Sequence, residues 1–287
     1  MDPVAQVRRF NRLVTQRVGA LDDRFLARDR PLGEARVLWE IGDGCEVRRL
    51  RDRLDLDSGY LSRLLRSLEE DGLITVGAAA DRRVRTARPT AKGRTERALL
   101  DRRSDRLAAS LIEPLSSPQQ DRLVTAMRDV ERLLTLAMVR IEPADPLEPG
   151  AQHCLRSYVE ELDRRFPGGF DPALSISADA PQLRPPAGLL LVARLQSEPV
   201  ACGALKFHEG APTELKRMWV ADTARGLGLG RRMLAELEAR CPGPVVHLET
   251  NGSLAEAIAL YRSAGYTEVE PFNDEPYADL WFEKRLR

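Results

Sequence analysis

A glycine-rich turn between a strand and a helix is the feature that most restricts how this chain can fold. The run Arg225-Gly226-Leu227-Gly228-Leu229-Gly230 follows a strand-like segment at residues 213–220 and opens a helical pattern at residues 229–240. Glycines in such a turn let backbone N–H groups come close to a phosphate, and the helix N-terminus adds about half a positive charge. The turn therefore predicts a site for a ligand that carries a pyrophosphate, although a tight turn of purely conformational origin gives the same pattern.

Charge is distributed unevenly along the 287 residues. Residues 1–140 carry 28 Lys and Arg against 22 Asp and Glu, whereas residues 141–287 carry 16 against 22, so that the formal net charge is zero. A polyanionic partner is therefore expected at the first half alone. The sequence has no apolar stretch near the ~18 residues that span a bilayer and no signal-peptide pattern, so we expect a cytoplasmic protein with no membrane partner.

The cysteines and histidines lack the spacing of a metal site or a disulfide framework. Cysteines stand at positions 45, 154, 202 and 241 without a Cys-x-x-Cys pair, and the histidines at positions 153, 208 and 247 form no ligand-spaced set. We therefore expect reduced thiols and no metal.

Two helical patterns separated by a short turn occupy the basic half, at residues 46–54 and 58–71. Four leucines at helical spacing predict the buried face of the second helix: Leu61, Leu64, Leu65 and Leu68. Asp57 has the side chain of an N-cap for that helix, and Gly72 can take the left-handed conformation that ends it. The pattern predicts a helix, a tight turn and a second helix.

The face of the second helix that remains outside carries residue types that bind DNA. These residues are Ser58, Gly59, Tyr60, Ser62, Arg63 and Arg66. A hairpin pattern follows at residues 73–88, to which Arg82, Arg83, Arg85 and Arg88 contribute positive charge. We expect this helix to bind in the major groove of double-stranded DNA and the hairpin, as a wing, to contact the phosphates or the minor groove. The alternative is an ordinary amphipathic helix on the surface.

Over residues 4–137 the sequence resembles the multiple-antibiotic-resistance regulator (MarR) family of winged helix-turn-helix repressors. The matching residues are the helical pair, Leu68-Glu69-Glu70-Asp71-Gly72-Leu73-Ile74, Asp81-Arg82-Arg83 and Thr90-Ala91-Lys92-Gly93. The sequence departs from the family at Pro89, where an apolar strand residue is usual, so the last ladder bond of the wing is in question. The resemblance implies a homodimer held by apolar stripes within residues 4–21 and 119–137. The alternative is that these stripes pack within one subunit.

The pattern changes after residue 137. Pro143, Pro146 and Pro149 stop a helix from continuing. We therefore predict one domain at residues 1–138, mainly α and of the winged helix-turn-helix kind, and a second at residues 139–287, which is α/β with a mixed sheet.

The order of elements in the second domain separates two classes of cofactor site. Strand patterns lie at residues 189–195, 200–207, 213–220 and 245–250. A dinucleotide-binding fold would put the glycine turn after its first strand, whereas three strands precede it here. Glu249 nevertheless stands about 20 residues beyond the glycines, where a ribose-binding acid would be expected, so the dinucleotide fold remains the minor alternative.

Over residues 139–287 the sequence resembles the GNAT superfamily of acyl-CoA-dependent N-acetyltransferases. One matching block is the glycine turn, which fits the pyrophosphate loop Arg/Gln-x-x-Gly-x-Gly/Ala, and the other is Ala257-Ile258-Ala259-Leu260-Tyr261-Arg262-Ser263-Ala264-Gly265-Tyr266. The family often has an asparagine three residues before the position of Ala257, where this chain has Leu254. That cofactor contact is therefore missing or moved to Asn251.

The resemblance implies acetyl-CoA as cofactor. The implied cofactor-binding residues are Met218, Val220, Arg225, Gly226, Leu227, Gly228, Leu229, Gly230, Asn251 and Tyr261. A base must also remove a proton from the acceptor ammonium. Glu214 is our first candidate and Glu249 the second, although either can instead pair with an arginine. Tyr261 would protonate the leaving thiolate or simply pack against CoA.

Aromatic residues outside the two matching blocks indicate an acceptor site. The candidates are Tyr158, Phe170, Tyr277 and Trp281. Such a site suits a small-molecule amine or amino acid better than an extended lysine peptide, and the alternative is that these aromatic residues belong to the core.

Together these patterns predict a bifunctional transcriptional regulator and acetyl-CoA-dependent N-acetyltransferase. Two alternatives stay open. One is an enzyme whose first domain only dimerises, and the other is a transcription factor whose second domain binds acetyl-CoA as a sensor without turnover.

Overall fold

The chain folds into two compact units, Met1–Met127 and Arg128–Arg287. The computed structural model describes residues 2–20, 26, 30–78, 84–176 and 178–286. The first unit is mainly helical with a small sheet, and the second is a mixed sheet with helices, as the sequence predicts. The predicted domain boundary between residues 138 and 139 stays a prediction. No helix in the described part of the chain is long and apolar enough to cross a membrane.

The first unit contains five complete helices, the start of a sixth and a three-stranded antiparallel sheet among its described residues. The helices are α1 (Pro3–Arg17), α2 (Leu32–Ile41), α3 (Val47–Leu54), α4 (Ser58–Glu70), α5 (Ala91–Ile112) and α6 (Ser117–Met138), and the strands are β1 (Cys45–Glu46), β2 (Ile74–Ala78) and β3 (Arg85–Pro89). The sheet has the order β1-β3-β2.

Local signals in the sequence fix the helix pair α3–α4. The Asp57 carboxylate accepts the N–H of Tyr60 at 2.8 Å and thereby caps α4. Gly72 follows α4 with φ +68°, the left-handed conformation that the sequence predicts. The four leucines of α4 are buried and share one core with α2. The predicted helix-turn-helix is therefore confirmed.

The start of α5 packs tightly against the wing. Thr90 caps α5 by accepting the N–H of Gly93 at 3.0 Å, and its own N–H donates to the carbonyl of Leu73 at 2.9 Å. A Cβ atom on Gly93 would lie 1.9 Å from that carbonyl oxygen. Pro89 stands in register with Ile74 at the end of the ladder, and the next residue, Thr90, supplies the donor that proline lacks.

The helices α1 and α6 present apolar side chains to solvent. No residue of α1 is buried. The exposed large apolar residues are Val4, Val7, Phe10, Leu13 and Val14 on α1 and Val124, Met127, Val130, Leu133, Leu134 and Met138 on α6. A row of exposed apolar side chains along a helix is typical of an interaction site.

The second unit is built on one seven-stranded sheet. Its strands are β4 (Arg140–Pro143), β5 (Gly188–Leu195), β6 (Glu198–Lys206), β7 (Thr213–Val220), β8 (Val245–Thr250), β9 (Thr267–Val269) and β10 (Leu280–Arg285), and its further helices are α7 (Pro149–Arg165), α8 (Leu229–Glu238) and α9 (Ala255–Ser263). The strand order is β4-β5-β6-β7-β8-β10-β9. All neighbours are antiparallel except β7 and β8, which are parallel.

The parallel strands β7 and β8 separate soon after they begin. They are in register at Thr213–Val246 and Glu214–His247, whereas β7 continues to Val220. On the other side of β7 the pairing with β6 contains a bulge, at which Arg217 has φ +57°. The separation opens a wedge in the middle of the sheet, and the bulge changes which side chains of β7 face it.

We expect Gly93→Ala to destabilise the first unit by about 3 kcal/mol, because the added methyl group must displace the backbone carbonyl of Leu73. The measurement is the free energy of unfolding in urea, followed by hydrogen exchange of peptides from residues 61–100. Gly77→Ala is the matched control, since a Cβ at Gly77 meets nothing within 4 Å. Equal protection of the backbone amides from hydrogen exchange in the two variants would show that Gly93 and the Leu73 carbonyl are less tightly packed in solution.

Candidate functional site

The exposed face of α4 carries the residues that the sequence assigns to DNA. Ser58, Gly59, Tyr60, Ser62, Arg63 and Arg66 are all exposed. The guanidinium of Arg63 lies 5.6 Å from the centre of the Tyr60 ring. Arg85 is exposed on β3, while Arg82 and Arg83 lie outside the described residues. The described residues of this candidate interface are thus a polar and cationic helix face and two exposed arginines of the wing strand β3, Arg85 and Arg88.

A cavity of about 470 Å³ lies in the second unit at the glycine turn and the N-terminus of α8. Gly226 and Gly228 have φ +74° and +86°, which only glycine adopts readily. Gly228 is the N-cap of α8, and among the described residues no side chain caps that helix. The first N–H groups of a helix have no partner within it. The turn therefore presents backbone donors to an anion in the cavity.

Arg225, the first residue of the turn, is held by two carboxylates. Its Nη2 atom donates to Oε1 of Glu161 at 2.6 Å, and its Nη1 atom lies 2.7 Å from Asp222. Its Nε atom donates to the carbonyl of Val220 at 3.1 Å. Glu161 also pairs with Arg165 at 3.3 Å. The positive charge of Arg225 is thus largely neutralised within the protein.

A second cavity of about 90 Å³ adjoins the first. Three aromatic rings form part of its wall, with the centroid of Tyr277 5.9 Å from Phe166 and 4.8 Å from Phe170. The two cavities share the wall residues Tyr158, Leu162, Met218, Leu254, Ala257 and Tyr261. A ligand in the larger cavity can therefore contact one in the smaller.

A buried lysine lies between the two glutamates that the sequence offers as bases. Lys216 on β7 pairs with Oε1 of Glu249 on β8 and lies 3.3 Å from Oε2 of Glu214. Glu249 lines the smaller cavity, and its Oε2 atom is buried without a hydrogen-bond partner among the described residues. Glu214 is absent from the described lining of both cavities.

The charges around Glu214 make it a weaker base than an isolated glutamate. Burial alone would raise its pKa, but the positive charges of Lys216 and His208 outweigh burial and lower the pKa. His208 lies 3.4 Å from the Glu214 carboxylate. Geometry therefore favours Glu249 over Glu214 as the group that could accept a proton in the cavity, because Glu249 lines it and Glu214 does not among the described residues.

Two tyrosines lie where the cavities meet. Burial raises the pKa of Tyr261, and the nearby Tyr158 and Glu249 raise it further. Burial also raises the pKa of Tyr158, which the guanidinium of Arg217 offsets in part. Both phenols therefore keep their protons at neutral pH and can act as hydrogen-bond donors.

Several residues predicted for these sites lie elsewhere. Asn251 lines the smaller cavity rather than the larger, and its amide is engaged with the carbonyl of Tyr277 and the N–H of Ser253. The indole of Trp281 donates to Asn273 at 2.8 Å, and Trp281 is absent from the described lining of both cavities. The side chain of Leu227 packs against the core of the sheet, so only its backbone belongs to the turn.

Sequence reasoning missed Lys216, Arg217 and Glu275, which all line the smaller cavity. The signal available for Lys216 and Arg217 was that two adjacent cations stand between apolar residues in a strand pattern. Glu275 stands in an irregular segment, where no pattern marks it. Its Oε2 atom accepts from the Ser175 hydroxyl at 2.9 Å and from the N–H of Ile176 at 2.8 Å.

Family models match both parts of the chain. Residues 34–93 match a winged helix DNA-binding domain, and residues 186–268 match an acetyltransferase (GNAT) domain.

Individual proteins resemble one part of the chain each. An IAA acetyltransferase of Azospirillum brasilense is 40% identical over 148 residues, which are 48% of this chain and 95% of that protein. A GNAT-family acetyltransferase structure from Staphylococcus aureus Mu50 is 16% identical with a TM-score of 0.45, covering 52% of this chain and 99% of its own. A MarR-family transcriptional regulator structure from Rhodococcus sp. RHA1 is 23% identical with a TM-score of 0.37, covering 43% and 88%.

We expect Glu214→Gln to lower the free energy of unfolding of the second unit by about 2 kcal/mol at neutral pH, because it removes one partner of the buried Lys216. The pKa of Glu214 is lower in the folded state than its ordinary 4.5. Its contribution is therefore complete above pH 4.5 and is lost as the pH falls through the folded-state pKa.

Urea unfolding of the two proteins between about pH 3.5 and 7 measures this difference. Glu209→Gln, a neighbouring exposed glutamate, is the control. A difference that is the same at all pH values would contradict the ion pair.

Proposed function

This chain belongs to the GNAT family of acetyltransferases and carries a winged helix DNA-binding domain ahead of it, and from this premise we propose that it transfers an acetyl group from acetyl-CoA to a small-molecule amine and also regulates transcription. The observation that carries the proposed transfer is the junction of the two cavities. In the described part of the chain, one cavity has a helix N-terminus without a side-chain cap at the glycine turn, the other has an oxygen of Glu249 without a hydrogen-bond partner, and Tyr261 and Met218 line both.

The residues around the larger cavity fit the pyrophosphate of an acyl-CoA. The backbone donors at Gly228, Leu229 and Gly230 carry partial positive charge and line the cavity. The edge of β7 that β8 leaves free, from about Leu215 to Val220, can pair with the amides of the pantetheine arm. These features support Met218, Val220 and residues 225–230 as the cofactor site.

When bound, an acyl-CoA would supply a thioester. The new carbon–nitrogen bond would form at the thioester carbonyl carbon. The carbon–sulfur bond would break with its electron pair on sulfur, so that CoA leaves as a thiolate. Oε2 of Glu249 takes the proton that the acceptor ammonium must lose before its nitrogen can attack. The hydroxyl of Tyr261, which keeps its proton, donates a hydrogen bond toward the departing sulfur. The nitrogen loses its second proton after the bond to carbon has formed, and this proton neutralises the thiolate, while Glu249 returns the first proton to solvent.

The size and lining of the smaller cavity support a small acceptor. Its aromatic wall includes Tyr158, Phe170 and Tyr277. The relative from Azospirillum brasilense is named an IAA acetyltransferase, and 95% of that protein's length matches this chain. This match supports transfer to a small molecule rather than to a protein.

We expect Glu249→Gln to lower kcat about 100- to 1,000-fold while the affinity for acetyl-CoA stays within about twofold, because the amide cannot accept the proton. Calorimetric titration measures binding of acetyl-CoA, and release of the CoA thiol with a panel of small amines measures turnover. Glu214→Gln is the matched control, since it changes the other carboxylate of Lys216 and should keep most of the activity.

The outcomes separate the alternatives. Thiol release with an amine supports the transferase, binding of acetyl-CoA without release from any amine would favour a sensor, and absence of binding would refute the cofactor site. Loss of activity in Glu214→Gln with full activity in Glu249→Gln would reverse the assignment of the base.

The first unit is proposed to bind double-stranded DNA as a homodimer. The cationic outer face of α4 supports insertion into the major groove, and the apolar rows on α1 and α6 support association of two subunits. A dimer would present two copies of α4 to two half-sites.

We expect Arg63→Ala to weaken binding to a specific site about 10- to 100-fold and to relax its sequence preference, because an arginine on the outer face can bind a guanine edge. A gel-shift experiment with a fragment from upstream of the protein's own coding region, with unrelated DNA as competitor, measures both effects. Arg36→Ala on α2, an exposed arginine that pairs with Glu40, is the control. Unchanged preference in Arg63→Ala would count against α4 as the recognition helix.

A further inference from the structure

Arg217 is a cation in the wall of the smaller cavity. Its guanidinium lies 5.4 Å from the centre of the Tyr158 ring. Within the described part of the second unit, no carboxylate lies within ion-pair distance of it, whereas the adjacent Lys216 pairs with two glutamates. An arginine fork matches a carboxylate in two parallel hydrogen bonds. Arg217 is therefore available to an anionic group in the cavity.

The backbone at Arg217 departs from ordinary strand geometry. Its φ of +57° is uncommon for a residue other than glycine, asparagine or aspartate. The bulge lies between the β6 pairings of Lys216 and Trp219, so that Arg217 does not continue the alternation of β7. As a result Lys216, Arg217 and Met218 all line the same cavity, although consecutive residues of a regular strand point to opposite faces.

Among the described residues, four charged side chains line the smaller cavity. Lys216 and Arg217 carry positive charge, and Glu249 and Glu275 carry negative charge. Glu275 accepts hydrogen bonds from the Ser175 hydroxyl and the N–H of Ile176, and Oε2 of Glu249 has no hydrogen-bond partner among the described residues. A zwitterion offers Arg217 and Oε2 of Glu249 one opposite partner each, and it adds no net charge to the cavity.

We propose that the acceptor is a small apolar α-amino acid, whose carboxylate binds Arg217 and whose ammonium group faces Glu249. This inference rests on the proposed acetyl transfer and narrows its substrate class. Arg217 is then a specificity-determining residue, since it binds the carboxylate and takes no part in proton transfer.

The dimensions of the cavity limit the amino acid. At about 10–15 Å³ for each water-sized atom, a cavity of about 90 Å³ holds a ligand of about six to nine heavy atoms. Alanine, valine and leucine are near this size when the amino group lies at the junction with the larger cavity. Phe166, Phe170 and Tyr277 would contact the apolar side chain.

The reaction then balances as follows. The ammonium of the amino acid gives one proton to Glu249, its nitrogen forms a bond to the thioester carbonyl carbon, and the carbon–sulfur bond breaks with its electron pair on sulfur. The nitrogen loses its second proton, which neutralises the thiolate. The products are an N-acetyl amino acid and CoA, and the carboxylate on Arg217 is unchanged.

Matched pairs of ligands test the inference, each pair differing by the carboxylate alone: alanine and ethylamine, valine and isobutylamine, leucine and isoamylamine. Calorimetry with the full chain and CoA measures binding, and thiol release with acetyl-CoA measures kcat and KM. We expect at least one amino acid to exceed its matched amine about 100-fold in affinity and in kcat/KM. Equal values within every pair would overturn the inference.

Arg217→Asn separates the role of the side chain from that of the bulge, because asparagine tolerates the left-handed conformation. We expect KM for the preferred amino acid to rise about 100-fold with little change in kcat, and the values for the matched amine to stay the same. Arg262→Gln is the control, since Arg262 also lies over an aromatic ring, at 6.0 Å from Phe282, and is outside both described linings.

The two proposals fail in different ways. If the amino acid binds through Arg217 but no thiol is released, the acetyl transfer fails and the carboxylate site stands. If amines without a carboxylate are acetylated as fast as amino acids, or if Arg217→Asn leaves KM unchanged, the transferase stands and the carboxylate site is refuted.

Discussion

The early separation of β7 from β8 is the constraint on which the second unit depends. The strands pair at Thr213 and Glu214, so on that edge the backbone of the rest of β7 has no strand partner in the described part of the chain. Unpaired backbone groups that are removed from water require another partner, and a ligand that lies along the strand can supply one. Both cavities begin at this wedge, because Met218 on the free part of β7 lines each of them.

Lys216 connects the two strands close to the point where they part. A buried ammonium group is costly unless carboxylates surround it, and Lys216 meets this condition with Glu214 on its own strand and Glu249 on β8. Because the lysine binds one oxygen of Glu249, the other oxygen is left for the cavity. The ion pair thus sets the orientation of the carboxylate that we propose as the base.

The parts of this structure that follow from local chemistry could be predicted from the sequence. The leucines of α4, the cap at Asp57 and the glycine turn each require only a few neighbouring residues. The choice between Glu214 and Glu249 could not be predicted, because it depends on which side of β7 faces the wedge and on an ion pair across two strands. The left-handed backbone of Arg217 has no local signal either, since it results from the pairing of β6 with β7.

The carboxylates beside the glycine turn bear on how an anion would be recognised there. Arg225 carries the charged side chain of the turn, yet Glu161 and Asp222 already bind its guanidinium. A pyrophosphate that drew Arg225 away would leave Glu161, which is 9% exposed, with Arg165 as its remaining cation. Loss of a partner for a buried carboxylate opposes that exchange. Among the described residues no side chain caps the N–H groups at the start of α8, so at the proposed site the backbone, rather than the arginine, would be the principal anion-binding group.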